Sequence, residues 1–223
     1  RAVEAANRCV GDVARHQPHM HGMGSTLVAP ILFDNRLYWI SVGDSPLYLF
    51  RGSRLFRLNE EQSLARRMDK LVAEGQMTEQ DALDHPDRTC LTSVLIGGTI
   101  PEVDCRDTPI ELRDKDILIA ASDGLQFISE QQIARILFDA RDLTSAEIGA
   151  KLLSSIIDLD HPHQDNVSLC VLKISDRRLS RTMEHSTTAT PASKMAGDVC
   201  AIRTEAESGS AYCQSDVLQG RGQ

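Results

Sequence analysis

Ile117-Leu118-Ile119-Ala120-Ala121-Ser122-Asp123-Gly124-Leu125 is an apolar run broken off by a polar Ser-Asp-Gly corner. A run of that length, apolar at every position, reads as a strand in the middle of a sheet. The glycine after Asp123 permits a sharp turn, which leaves the carboxylate uncovered at the sheet end. Two more aspartates stand at such corners, Asp44 in Val42-Gly43-Asp44-Ser45 and Asp165 in Gln164-Asp165-Asn166. Singly, each is more often just a turn residue, because Asp-Gly and Asp-Asn are common turn dipeptides. Together they are oxygen donors that repel one another unless a cation sits between them, and oxygen-only ligands favour Mg2+ or Mn2+ over zinc or copper.

The elements around this strand follow from periodicity. Ala2, Ala6, Cys9 and Val13 fall at helical spacing, which predicts a helix over 2–14. From Ser25 the period becomes two. Strands are expected up to Phe33 and over 36–42, 47–51 and 54–58, with Asp34-Asn35 and Gly52-Ser53 as tight turns. Such short connections predict an antiparallel meander. Leu64, Met68, Leu71 and Val72 form a helical stripe closed by Gly75, and a short helix from Thr78 to Asp84 stops before Pro86. Val103 to Arg106 reads as a strand. Ser129 with Gln132, and Thr144 with Glu147, have capping-box spacing ahead of apolar helical stripes, and a last strand is expected over 167–174.

The 223 residues, 41% of them hydrophobic, suffice for one full-sized domain, assigned to residues 1–175. Residues 176–223 carry six basic and six acidic side chains, so the whole net charge of −8 sits on the domain. That tail is poor in bulky apolar residues, cannot repay its ordering entropy, and is expected to be disordered. An acidic surface argues against nucleic acid, where affinity depends on Lys and Arg at phosphates. No apolar run approaches the roughly 20 residues that cross a bilayer, nor is there a signal-peptide core, so no membrane association and a cytoplasmic location are expected. Six scattered cysteines show no zinc spacing and read as reduced, mostly buried thiols. His16, His19, His21, His161 and His163 lie in polar loops where solvated histidines are ordinary, although His163, close to Asp165, is a candidate for proton transfer. Arg66-Arg67 reads as a solvated helix face.

The order of the motifs adds a resemblance. Gly22-Met23-Gly24-Ser25-Thr26-Leu27-Val28, Val42-Gly43-Asp44-Ser45, the Ile117–Leu125 segment and Asp165-Asn166-Val167-Ser168, with His85-Pro86, Arg88, Leu91-Thr92 and Leu95-Ile96-Gly97 between them, resemble the PPM family, the type-2C protein phosphatases. The likeness runs over about residues 2–174. It implies an α+β fold, the α-β-β-α sandwich of antiparallel sheets flanked by helices. It also implies hydrolysis of phosphoserine and phosphothreonine on proteins by a metal-activated water. Asp123 and Asp165 match the family's metal-ligand aspartates, and Asp44 matches one that helps hold a further, weaker metal. The implied cofactor is Mn2+ or Mg2+ in a two-metal site; the implied partners are phosphorylated proteins and a cognate Ser/Thr kinase, with the chain a monomer.

Departures from the family pattern qualify the reading. The family's Asp-Gly-Met-Gly-Gly-His segment, whose aspartate bridges both metals, is expected upstream of Arg1. On that view residues 1–223 hold half a site, lack an edge strand and turn over little substrate. Pro46 stands in place of the usual Arg after Gly-Asp-Ser, and Phe127 where some members carry an additional aspartate; both weaken the case for a third metal. Two alternatives stay open: a pseudophosphatase-like module that binds phosphoproteins or regulates a partner, and a fragment without independent function.

Overall fold

The computed structural model describes residues 1–162, 164–175, 196–207 and 210–216, with side chains described in the first two ranges. In chain order the elements are α1 (Ala2–His16), β1 (Leu27–Phe33), β2 (Arg36–Val42), β3 (Leu47–Arg51), β4 (Arg54–Arg57), α2 (Leu64–Ala73), α3 (Glu79–Leu83), β5 (Asp104–Cys105), β6 (Ile110–Glu111), β7 (Ile117–Ala121), α4 (Glu130–Asp139), α5 (Ser145–Ile157), β8 (Ser168–Ser175), β9 (Ala196–Glu207) and β10 (Ser210–Asp216). Antiparallel sheets with helices flanking them make this an α+β fold, as expected.

The strands form two sheets. One has the order β1-β2-β5, with β6 also paired to β2; the other runs β10-β9-β8-β7-β3-β4. The expected meander is therefore interrupted, since β2 and β3 lie in different sheets and β3 pairs with β7. The break falls at Val42-Gly43-Asp44-Ser45-Pro46. Gly43 has φ +101, in the left-handed region, and Pro46 has no N–H to offer a ladder.

Within the span read as one domain, the chain gathers into two compact units: Arg1–Ala29, Trp39–Ser45 and Asn59–Arg106 form the first, Pro30–Tyr38, Pro46–Leu58 and Asp107–Gln223 the second. In the first unit the Asn7 side chain fastens α1 to the loop after Leu95. Its Oδ1 accepts from the N–H groups of Ile96 (2.9 Å) and Gly97 (2.7 Å), and its Nδ2 donates to the Gly98 carbonyl (2.6 Å). The approach is close enough that a Cβ on Gly11 would sit 2.5 Å from the Gly97 Cα.

The second unit has a continuous core. Tyr48 and Phe50 of β3, Ile117 and Ile119 of β7, and Leu169 and Val171 of β8 meet Ile133, Leu137, Ile148, Leu152 and Ile156 of α4 and α5. Each such side chain contributes about 1.5–3 kcal/mol on burial. Both helices start in capping boxes, Ser129 with Gln132 and Thr144 with Glu147, at the positions the spacing predicted.

Part of the tail differs from the expected disorder. Residues 196–203 pair with all eight residues of β8, from Ser168↔Arg203 to Ser175↔Ala196, and β9 pairs in turn with β10. Backbone groups along the edge of β8 supply those partners whatever the side-chain composition. The rest of the tail lies outside the described residues. Cys9, Cys90, Cys105 and Cys170 are in no disulfide, as expected, but are less buried than expected, the first three exposed and Cys170 half-buried. Among the described residues no helix is long and apolar enough to cross a membrane.

Candidate metal centre

Asp123 follows directly from the β7 strand. Beyond the last ladder pair, Ala121↔Leu169, the pairing continues one step: Ser122 N–H donates to the Ser168 carbonyl (2.8 Å), and Ser168 N–H to the Ser122 hydroxyl (3.0 Å). The chain then turns into a 3-10 helix over Asp123–Phe127, with Asp123 as its first residue. Gly124 comes so near the neighbouring strand that a Cβ would lie 2.5 Å from the Asn166 carbonyl oxygen and 2.8 Å from Val167 Cγ2. Only glycine lets these two corners meet, and the result is that Asp123 and Asp165 stand on neighbouring strand ends at one end of the sheet. Both are solvent-exposed. Asp165 is oriented locally, its Oδ1 accepting from the Asn166 N–H at 2.6 Å.

Asp44 belongs to the other compact unit, where it is half-buried. Its corner is clamped from both sides. Gln62 brackets Gly43, its Oε1 accepting from the Gly43 N–H (2.8 Å) while its own N–H donates to the Gly43 carbonyl (3.1 Å). Ser45 is held by its hydroxyl contact with Thr26 (2.7 Å) and by Asn59 Nδ2 donating to its carbonyl (2.9 Å). A Cβ on Gly43 would meet Thr26 Cγ2 at 2.5 Å. Gly43 and Ser45 of the Gly-Asp-Ser motif thus have structural roles independent of any metal.

Sequence reasoning missed Gln62, Asn59 and Asp104. The Asp104 carboxylate accepts from Trp39 Nε1 (3.0 Å) and the Glu60 N–H (2.9 Å). Their partners lie 14 to 65 positions away, so no local pattern marked them. Also missed was the packing of the His161 ring on Phe127, with centroids 5.4 Å apart and planes inclined by 53°. His16, His19 and His21 are exposed, as a solvated reading requires, and His16 Nδ1 lies 2.7 Å from the Asp12 carbonyl. His163 lies outside the described residues. Exposed Arg66 and Arg67 fit a solvated helix face, Arg67 reaching Glu102 at 3.5 Å.

Two exposed carboxylates with room for water suit a hard divalent cation, which takes few protein ligands and keeps several waters. Among the described residues no three His, Cys, Asp or Glu side chains gather as a complete protein cage would need. The described donors therefore fit the carboxylate wall of one such ion.

By sequence and fold this chain is similar to bacterial serine/threonine phosphatases of the PPM type. It is 30% identical over 182 residues, 81% of its length, to the serine/threonine protein phosphatase PstP of Mycobacterium tuberculosis, covering 33% of that protein. It is 31% identical over 146 residues to the serine/threonine phosphatase stp of Listeria welshimeri, covering 56% of it. The chain thus spans a third to just over half of these relatives. Among solved structures, the S. agalactiae serine/threonine phosphatase aligns with a TM-score of 0.64 at 25% identity, over 76% of this chain and 66% of that one. The PstP catalytic domain in complex with two manganese ions aligns at 0.58 and 29%, over 76% and 66%. No family profile matches the chain.

Proposed function

We propose that the protein to which this chain belongs hydrolyses phosphoserine and phosphothreonine on proteins in a Mn2+- or Mg2+-dependent reaction. The observation that carries the proposal is the close approach of Gly124 to Asn166, next to which Asp123 and Asp165 stand in the chain. The two carboxylates would hold the cation; when bound, it acts as a Lewis acid and lowers the pKa of a coordinated water, giving a nucleophile at neutral pH. Asp123 and Asp165 contribute by being fixed before the ion arrives: one begins a turn pinned at Ser122, and the other accepts from its own following N–H. Asp44 is assigned a secondary part in a weaker ion site. Residues 1–175 are read as the phosphatase domain. A monomer in the cytoplasm, opposing a Ser/Thr kinase in signalling, is the setting proposed for it; the relatives it resembles are bacterial serine/threonine phosphatases.

The test is release of phosphate from a phosphothreonine peptide with Mn2+, with Mg2+ and with chelator. Asp123→Asn and Asp165→Asn are each expected to reduce Mn2+-dependent release at least about a hundredfold, the order of loss expected when an electrostatic element of a reaction centre is removed. Release unaffected by either substitution would refute the assignment. Phosphopeptide binding without metal-dependent release would favour a pseudophosphatase-like binding module.

A further inference from the structure

The hydrogen bonds around Ser122 fix Asp165 only from its strand side. On the other side the chain arrives from the end of α5 through residues 158–162, which are exposed, and the nearby backbone bonds are local: Leu159 N–H to Ile156, Asp160 N–H to Ile157, and Gln164 N–H to His161. Asp160 sits there at φ +44, a left-handed conformation that reverses the chain. Such a stretch needs an anchor outside itself if it is to present a carboxylate at a constant place. The ring of Phe127 offers one. Phe127 ends the 3-10 turn that Asp123 begins, is half-buried, and packs against the core of the second unit. His161 lies on it, rings tilted by 53° with centroids 5.4 Å apart, within the distance range of interacting aromatic pairs.

We propose that Phe127 and His161 are positioning residues: their ring contact ties the stretch leading into Asp165 to the turn that starts at Asp123, and so sets the spacing of the two carboxylates. This rests on the metal reading above. It also gives Phe127 a use of its own, as an aromatic peg at a position where some members of the resembling family carry an additional aspartate. Ligand-orienting neighbours of this kind matter because a cation senses displacements of a few tenths of an ångström in its donors.

The test uses the full chain, with Mn2+ alone as probe followed by calorimetric titration, and with amide hydrogen exchange of the residues ahead of Asp165. His161→Ala and Phe127→Leu, the latter keeping most of the core volume, are each expected to weaken Mn2+ binding about tenfold, the low end of what ligand-supporting neighbours contribute. Both should speed exchange ahead of Asp165. The double variant should be no worse than either single one, because one shared contact is lost. His161→Phe keeps a ring pair and should retain near-native affinity. Near-native affinity in both single variants would overturn the proposal, as would His161→Phe binding as weakly as His161→Ala. The underlying site reading fails separately, if Asp123→Asn and Asp165→Asn leave the titration unchanged. A chain that takes up no Mn2+ refutes that reading and the positioning role together, while the exchange data still report whether the rings anchor the stretch.

Discussion

Two residues show how steric and electrostatic constraints underlie the site and its support. Gly124 has no room for a side chain, since a Cβ would press on the Asn166 carbonyl and on Val167. Gly124→Ala is expected to cost about 1–3 kcal/mol, the usual range for overpacking a tight site. It should also weaken Mn2+ binding, because relief of the clash separates the two carboxylate corners. Thermal unfolding and a Mn2+ titration of the same preparation check both parts. Asp116 is a different case, 1% exposed and accepting from Arg51 Nε (2.8 Å), Arg51 Nη2 (2.6 Å) and the Arg113 N–H (2.7 Å). The hydrogen bond to Asp116 raises the Arg51 pKa above its already high ordinary value, so the guanidinium stays charged. Arg51 is 24% exposed and can turn partly to water once its partner is gone, so Asp116→Ala should cost about 1–3 kcal/mol in urea unfolding, the range for lost hydrogen bonds to a charged group. Asp123 was legible as a site candidate because its corner is local, Asp-Gly after an apolar run. Asp116 reads locally as no more than the start of a strand; its charged partner, Arg51, lies 65 positions away.

Helices were legible wherever their end signals were side chains. The Thr144 box closes as the spacing predicts, with the Glu147 carboxylate accepting from the Thr144 N–H (2.9 Å) and hydroxyl (2.8 Å). The backbone hydrogen bond first, and the hydroxyl second, lower the Glu147 pKa below the ordinary glutamate range. A carboxylate with a depressed folded-state pKa adds stability that is present above its unfolded pKa and lost as pH falls through the folded value. The start of α5 should therefore fray on acidification below the ordinary glutamate range. In Glu147→Gln, which keeps an acceptor without a titrating charge, that acid-dependent component should disappear. Amide exchange of residues 145–148 against pH reads the difference. The anchoring of α1 was not legible, because Asn7 on an amphipathic helix looks like any exposed polar residue. Its partners are backbone groups about 90 positions downstream. Asn7→Ala would leave two N–H groups and a carbonyl without their partner, and should cost about 2–4 kcal/mol at roughly 1–3 kcal/mol for each group left unsatisfied, partly offset by water.

At the scale of the whole molecule, the sequence carried strand positions better than strand partners. Alternation located β1 to β4 to within two residues, yet short loops suggested one meander where the chain changes sheet after Val42. Pairing is decided by which backbone edges remain open, a property of the assembled sheet. The tail makes the same point, since residues 196–203 lie in a stretch with few bulky apolar residues and still pair along the full length of β8. A chain ended at Ser175 would expose the N–H and C=O row of β8 that now faces β9. Open edges of that kind recruit strands from other chains, so the shortened chain should self-associate with rising concentration in sedimentation velocity while residues 1–223 do so less. In the monomer at low concentration, the β8 amides that bond to β9 should lose exchange protection, whereas those that bond to β7 should keep it. Unchanged protection on both sides of β8 would mean that β9 does not pair there in solution.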